Sequence, residues 1–365
     1  MVALAGLLVA TVGGGCMFEL GSVKDPMEVP CGEGFASCDG DMTCGTNLST
    51  SSDHCGACGR SCLGAACTNG RCPRQTLTTV GSLPYGIALD ETHVYYSDRD
   101  DGVLRKLAKD GGTPMTLASN QAEITFVAVD PGPTGFVYFT RNGPNGGVSK
   151  VPKTGGSVTT LASVAWGWEI AIDETHVYFT TGGPENPPVG LTGSLQRVAK
   201  TGGAATRLAT MTTQPGSIAL DAESVYFADK EGQTVSRLDK SAPGAPELIA
   251  ISQAGPDSIA IDGDNLFWTC FFGDTVVVSP KRPDAYVPIA NAQESPNGIT
   301  AGGNFAYYST YRGNTIGRVS ANGGPPLILA DVDTPIRLAL DEQYVYFTGN
   351  GEETMGPRGV YRVAR

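Results

Sequence analysis

Charge is scarce in this chain. Asp, Glu, Lys and Arg make up 17% of its 365 residues, and the basic ones are the fewer, 25 against 37, for a net charge of −12. A protein that grips a phosphate backbone draws its affinity from clustered Lys and Arg, so nucleic acid is not expected as a partner. Histidine is scarcer still, at three residues, which disfavours His-dependent catalysis and a His-rich metal centre. The apolar run of residues 2–15 is too short to cross a bilayer as a helix. A Walker loop, a Gly-x-Ser-x-Gly elbow and a zincin helix motif are all missing, and no cofactor is expected.

Glycine is abundant, at 49 residues, and hydrophobic residues reach 41%. That share is too high for a disordered chain. With many Thr, Val and Tyr, it points to strands joined by turns rather than to helices.

Residues 2–15 read as a signal-peptide core, ending in Gly13-Gly14-Gly15 directly before Cys16. Small residues before a Cys resemble the bacterial lipobox. The resemblance implies export, lipid on Cys16 and attachment to the cell envelope, with the outer membrane expected. Residues 1–15 would be removed and residues 16–30 would form a lipidated linker. An ordinary cleaved signal, with Cys16 incidental, is the alternative.

Cys31, Cys38, Cys44, Cys55, Cys58, Cys62, Cys67 and Cys72 follow within 42 residues. An even, dense set behind a signal peptide predicts four disulfides in a module over 31–72, because so short a segment cannot bury enough apolar surface unaided. Their spacing leaves the connectivity open. Asp53-His54-Cys55-Gly-Ala-Cys58-Gly-Arg-Ser-Cys62 and Cys67-Thr-Asn-Gly-Arg-Cys72 resemble the stigma-specific-protein type of Cys-rich module. Zinc on Cys55 and Cys58 beside His54 is the competing reading, and no metal is expected. Cys270 stands apart as a free thiol, expected to be reachable at the start of a connection.

From residue 75 to 365 the chain repeats. Ile87-Ala-Leu-Asp90, Val127-Ala-Val-Asp130, Ile170-Ala-Ile-Asp173, Ile218-Ala-Leu-Asp221, Ile259-Ala-Ile-Asp262, Ile299-Thr-Ala-Gly302 and Leu338-Ala-Leu-Asp341 recur about every 40 residues, each followed by a turn and an aromatic-rich run such as Val94-Tyr-Tyr96. A repeat of this length without helical patterning predicts an all-β, seven-bladed β-propeller with four strands, a to d, per blade. The seventh repeat stops after strand c, while Thr76-Leu-Thr-Thr79 precedes the first. An N-terminal strand closing the last blade explains both. Tyr96-Ser-Asp98 and the general pattern resemble YWTD, NHL and TolB-like propeller repeats, which implies the fold and little about function.

Repeat-equivalent residues are structural candidates. The strand-a Asp residues suit bonds to the following turn, and His93 and His176 occupy matching sites. Lys106, Lys150, Arg197, Arg237, Arg318 and Arg362 form a solvated or blade-pairing row on strand c. Asp98, Asp100 and Asp101 lack a full calcium-ligand spacing and read as a solvated turn.

Residues that break the repeat are the binding candidates. Tyr85, Thr125, Trp168, Glu169, Asp257, Asn297 and Arg337 lead into strand a, where a propeller's channel opens. Trp166, Phe271 and Phe272 add aromatics near the same mouth, and aromatics with Arg dominate interaction surfaces. The expected role is a binding module for an envelope or extracellular protein or glycan, with no catalytic residue assigned and a monomer expected. The alternative is a lyase or hydrolase working through channel carboxylates such as Glu169 and Asp257.

Overall fold

The computed structural model describes residues 31–38, 44–182, 193–211, 215–241, 244–283, 285–351 and 356–365. The expected signal peptide, Cys16 and the linker to residue 30 lie outside these residues. Seven four-stranded antiparallel sheets stand around a central axis, each ordered a-b-c-d from the inside out. In blade 1 the strands are Pro84–Leu89, His93–Asp98, Val103–Ala108 and Met115–Ala118. Blade 7 takes Pro335–Leu340, Tyr344–Gly349 and Gly359–Ala364, and its outer strand is Gln75–Thr79 from the N-terminal side. The ring is therefore closed by a strand from the N-terminal side, which covers the outer edge of Gly359–Ala364 and gives blade 7 its fourth strand.

The core follows from the two-residue period of strands. On strand b of blade 1, Val94 and Tyr96 point into the layer shared with blade 7. Tyr95, between them, points into the layer shared with blade 2. The same division repeats around the ring, so the buried apolar residues form seven layers, one between each pair of blades. At the axis the strand-a backbones nearly touch. A Cβ on Gly86 would lie 2.5 Å from the Thr125 carbonyl oxygen of the next blade, which is why this position is glycine.

A second ring ties the blades at the face where strand a ends. Asp90 accepts the Thr92 and His93 amides, the Tyr95 hydroxyl at 2.7 Å and Lys153 from blade 2 at 2.9 Å. Lys109–Asp341, Lys200–Asp130, Lys240–Asp173 and Lys281–Asp221 repeat the inter-blade pair. Burial alone would raise the Asp90 carboxyl, but bonds from Tyr95, Lys153 and the turn hold it below the usual range. The strand-a Asp residues thus do more than cap a turn. His93 and His176 lie beside them, each ring nitrogen on a neighbouring Thr hydroxyl. On strand c, Lys150, Arg197 and Arg362 donate to the backbone carbonyls of Lys200, Lys240 and Lys109 on adjoining blades.

Four disulfides staple the N-terminal region: Cys31–Cys44, Cys38–Cys58, Cys55–Cys67 and Cys62–Cys72. The Cys55, Cys62 and Cys72 sulfurs cluster within 4.8 Å, but all three sit in disulfides and offer no thiolate to a metal. Four of these cysteines join the layer between blades 6 and 7. Arg60, 2% exposed, donates to the Cys55 and Ala364 carbonyls and so bolts the module to the last strand. Burial brings its guanidinium down to about 10.

Two local expectations need correction. Cys270 is 3% exposed, packed with Trp268 against Gln253, so the free thiol is not reachable. Asp98 does not sit in a solvated turn; it is 1% exposed, takes a hydrogen bond from Ser82 and is pushed up to about 6, first by burial and then by Asp101.

Candidate functional site

Strand a does not start in regular register. Each pairs with strand b across a two-residue irregularity, between Pro84 and Ile87 in blade 1 and at the matching place in the others. A bulge re-aims side chains and loosens pairing at a sheet's edge. Strand-b hydroxyls hold it: Ser97 accepts the Gly86 N–H and donates to the Thr125 carbonyl, and Thr348 accepts the Arg337 N–H and donates to the Tyr85 carbonyl. Blade-to-blade hydroxyl bonds therefore fix the residues that surround the mouth.

The second bulge residue runs Gly86, Phe126, Glu169, Ser217, Ser258, Gly298 and Arg337 around the ring. Four are small. The three large ones meet. Arg337, from blade 7, reaches Glu169 of blade 3 at 3.7 Å, and its guanidinium lies 4.7 Å from the centre of the Phe126 ring. Tyr85 and Trp168, at the first bulge position of blades 1 and 3, complete an aromatic trio with Phe126. Ring centres are 5.3 Å apart for Tyr85–Phe126 and Phe126–Trp168, and 6.0 Å for Tyr85–Trp168, all edge-on. Arg99 stacks on Tyr85 at 5.4 Å and pairs with Glu123 at 3.1 Å.

The electrostatics follow from burial. Glu169 is 9% exposed, and burial, reinforced by Asp257 and opposed by Arg337, pushes its carboxyl up to about 8. Burial also raises the Tyr85 hydroxyl. For Arg337 burial works downward, but Glu169, Tyr85 and Asp257 carry it above its ordinary value.

The other candidates are distributed more widely. Asp257 bonds Lys230 at 3.0 Å rather than meeting Glu169 in a carboxylate pair. Lys230 lies 4.2 Å from the centre of the Phe271 ring and 5.4 Å from that of Phe272. Phe271 also meets Tyr311, and Phe272 is 69% exposed, so these three make a separate aromatic patch on the rim. Trp166 takes a left-handed backbone conformation, φ 58°, and braces the rim through the Gly143 carbonyl and the Gly182 amide. Asn297 is buried and spent on structure, donating to the Pro335 carbonyl and accepting from Ser309. Phe126, Arg99 and Lys230 were not singled out from the sequence. The signal for Phe126 was present, as one of three large residues in an otherwise Gly/Ser tier.

No protein-family model matches the chain, and no curated protein matches it. Solved structures do. Virginiamycin B lyase from Staphylococcus aureus superposes with a TM-score of 0.65 at 18% identity, over 80% of this chain and 98% of that one. A catalytically inactive His-to-Ala form of that enzyme with quinupristin gives 0.64 at 17%, with the same coverage. The PQQ-bound aldose sugar dehydrogenase from Streptomyces coelicolor gives 0.51 at 13%, over 80% and 97%. These likenesses show the fold alone. None of the three histidines of this chain lies at the mouth: His54 is in the disulfide module, and His93 and His176 stand where strand b begins, at the other face.

Proposed function

We propose that this is an exported envelope lipoprotein, anchored through Cys16, whose propeller binds a protein or glycan partner at its channel mouth. The stigma-specific-type resemblance of residues 31–72 belongs to the same reading. The module does not hang as a free spacer, however, because it is seated on blades 6 and 7. One observation carries the binding role: Tyr85, Phe126, Trp168, Glu169 and Arg337, from four blades, converge at one mouth where a purely structural repeat would repeat itself. Aromatic rings and Arg supply contact area and directed hydrogen bonds to a partner.

A lyase or hydrolase working through channel carboxylates is less well served. Glu169 and Asp257 are held by different cations, Arg337 at 3.7 Å and Lys230 at 3.0 Å, although Asp257 lies near enough to raise the Glu169 carboxyl. No histidine stands at this mouth to serve as a general acid or base.

The test is capture from an envelope extract on immobilised mature protein. Wild type and Lys150→Ala should retain the same partner, and Trp168→Ala should lose it, at a cost of roughly 2 kcal/mol or more. Equal retention by all three would contradict the mouth as the binding surface. In the same preparation wild type should carry acyl mass on Cys16 and enter the detergent phase. Identical partitioning by Cys16→Ser would remove the lipid anchor from the reading.

A further inference from the structure

We infer that the disulfide module is the clasp of the ring: it fastens the two ends of the propeller chain together at blade 7 and holds the seam between blades 6 and 7, so that closure of the propeller depends on residues 55–72.

Blade 7 is where the ring lacks a covalent connection. In the other six blades the four strands follow one another in the chain, but Gln75–Thr79 reaches Gly359–Ala364 only across a strand pair, with a register irregularity between Thr76 and Thr78. One side-chain bond is added, from Arg362 to the side-chain carbonyl of Gln75 at 2.7 Å. An outer strand held in this way opens locally at a lower free-energy cost than the whole fold.

The same region is short of the ion pairs that tie the other blades. Lys–Asp pairs join blades 7 and 1, 1 and 2, 2 and 3, 3 and 4, and 4 and 5. Between blades 6 and 7 the strand-a Asp is replaced by Gly302. Arg365 stands where other blades carry the Lys and bonds neutral oxygens instead: the Gly302 carbonyl at 3.2 Å, the Asp341 carbonyl at 3.0 Å and the Tyr307 hydroxyl at 3.1 Å. The seam between blades 5 and 6 also lacks the pair, but both of those blades are built from continuous chain.

The module covers this place from outside. Cys55, Cys62, Cys67 and Cys72 are buried in one cluster with Leu329, Ala330 and Val332 of blade 6 and Val363 and Ala364 of blade 7. Leu327 opens the outer strand of blade 6, Leu327–Asp331, and lies so close to Gly56 that a Cβ there would be 2.9 Å from its methyl group. Arg60 donates to the Cys55 carbonyl at 3.0 Å and to the Ala364 carbonyl at 3.1 Å. The Cys62–Cys72 disulfide then fixes the Arg60 loop to a residue three positions before Gln75. One side of the clasp grips the last strand, and the other is continuous with the closing strand. Such a tether raises the effective concentration of one strand at the edge of the other.

The experiment is amide hydrogen exchange, read by mass spectrometry on the full-length chain with its disulfides intact. Arg60→Ala removes the grip on Ala364 without touching Gln75–Thr79 or Tyr344–Gly349. Exchange in both of those strands should rise about tenfold or more, while His176–Thr181 in blade 3 keeps its wild-type rate. Lys200→Ala, which breaks the pair with Asp130 between blades 2 and 3, should do the reverse. Wild-type exchange of Gln75–Thr79 in Arg60→Ala would overturn the clasp, and so would equal acceleration of that strand by both variants. Leu327→Ala loosens the module from the blade 6 side and should show the same pattern as Arg60→Ala. Should Arg60→Ala fail to fold, wild-type exchange of Gln75–Thr79 in Leu327→Ala overturns the clasp by itself.

Discussion

Replacing Asp90 with Ala removes one member of the inter-blade ring and leaves its partners stranded. The Asp90 and Lys153 side chains are each 3% exposed and meet at 2.9 Å. Without the carboxylate, Lys153 keeps its charge in the interior with the Gly132 carbonyl as its other ligand, and the Tyr95 hydroxyl and the Thr92 and His93 amides lose their acceptor. Removing one partner of a buried pair costs about 3–5 kcal/mol. The sequence supplies its own control. At the matching place in blade 5, Asp262 has Phe267 where other blades carry Tyr and Ala321 where they carry Lys or Arg, and it accepts the Asn304 amide at 2.7 Å. Asp262→Ala should cost about 1–2 kcal/mol, one charge-assisted hydrogen bond. The assay is urea unfolding with disulfides intact. With a slope of roughly 3 kcal/mol per molar, Asp90→Ala should lower the midpoint by about 1 M and Asp262→Ala by about half of that or less. Asp90, held below its ordinary value, contributes stability present above about pH 4 and lost as pH falls further. The variant should therefore also be less acid-sensitive than wild type in that range. Equal midpoint shifts for the two variants would refute the reasoning.

Deleting residues 75–80 removes the outer strand of blade 7 and should lower the melting temperature and give soluble aggregates, since Gly359–Ala364 becomes an open edge; an unchanged melt with monomeric elution would argue against the seal. Glu169 is raised from 4.5 to about 8, so the native state holds its proton more tightly than the unfolded chain does. Its contribution is full below about pH 4.5 and lost as pH rises through about 8. The melting temperature of wild type should fall more steeply across that window than that of Glu169→Gln, and parallel profiles would contradict the assignment. Non-reducing peptide mapping should return the pairs Cys31–Cys44, Cys38–Cys58, Cys55–Cys67 and Cys62–Cys72. Cys270 should resist alkylation until the chain is denatured, and alkylation of the native protein would show that its burial is wrong.

The seven blades were legible because the apolar run, the Asp and the aromatic strand recur at nearly constant spacing, and a short sheet has few ways to satisfy that pattern. Closure was legible too, from Thr76–Thr79 at one end and a missing strand at the other. The partners of the strand-a Asp residues were not read from the sequence, although they left a trace. Lys109, Lys153 and Lys200 each precede a Gly-Gly turn, and the Lys and the Tyr vanish together around Asp262. A pair that spans two blades has no signature within either blade alone. The same holds for the mouth. Arg337 and Glu169 stand 168 positions apart in the chain, and only the ring brings them within 3.7 Å. Phe126 reads as core by its position, yet the bulge turns it under Arg337. Asn297 stood out by its variety, but its polarity serves Pro335 and Ser309 within the fold. The burial of Cys270 is not legible within its own strand, because the end of strand b, where it sits, is covered by Gln253 from the preceding connection.

Hydroxyl-radical footprinting of the mature protein, alone and with the partner captured from envelope extract, asks most directly whether the mouth is the binding surface. Tyr85, Trp168, Phe271 and Phe272 report on the mouth and its rim, while Met115 and Leu248, 43% and 50% exposed on outer strands, report on the sides of the ring. Protection should be confined to the mouth and rim residues. Protection of Met115 and Leu248 with Tyr85 and Trp168 unchanged would place the partner on the outer strands and contradict a role for the mouth.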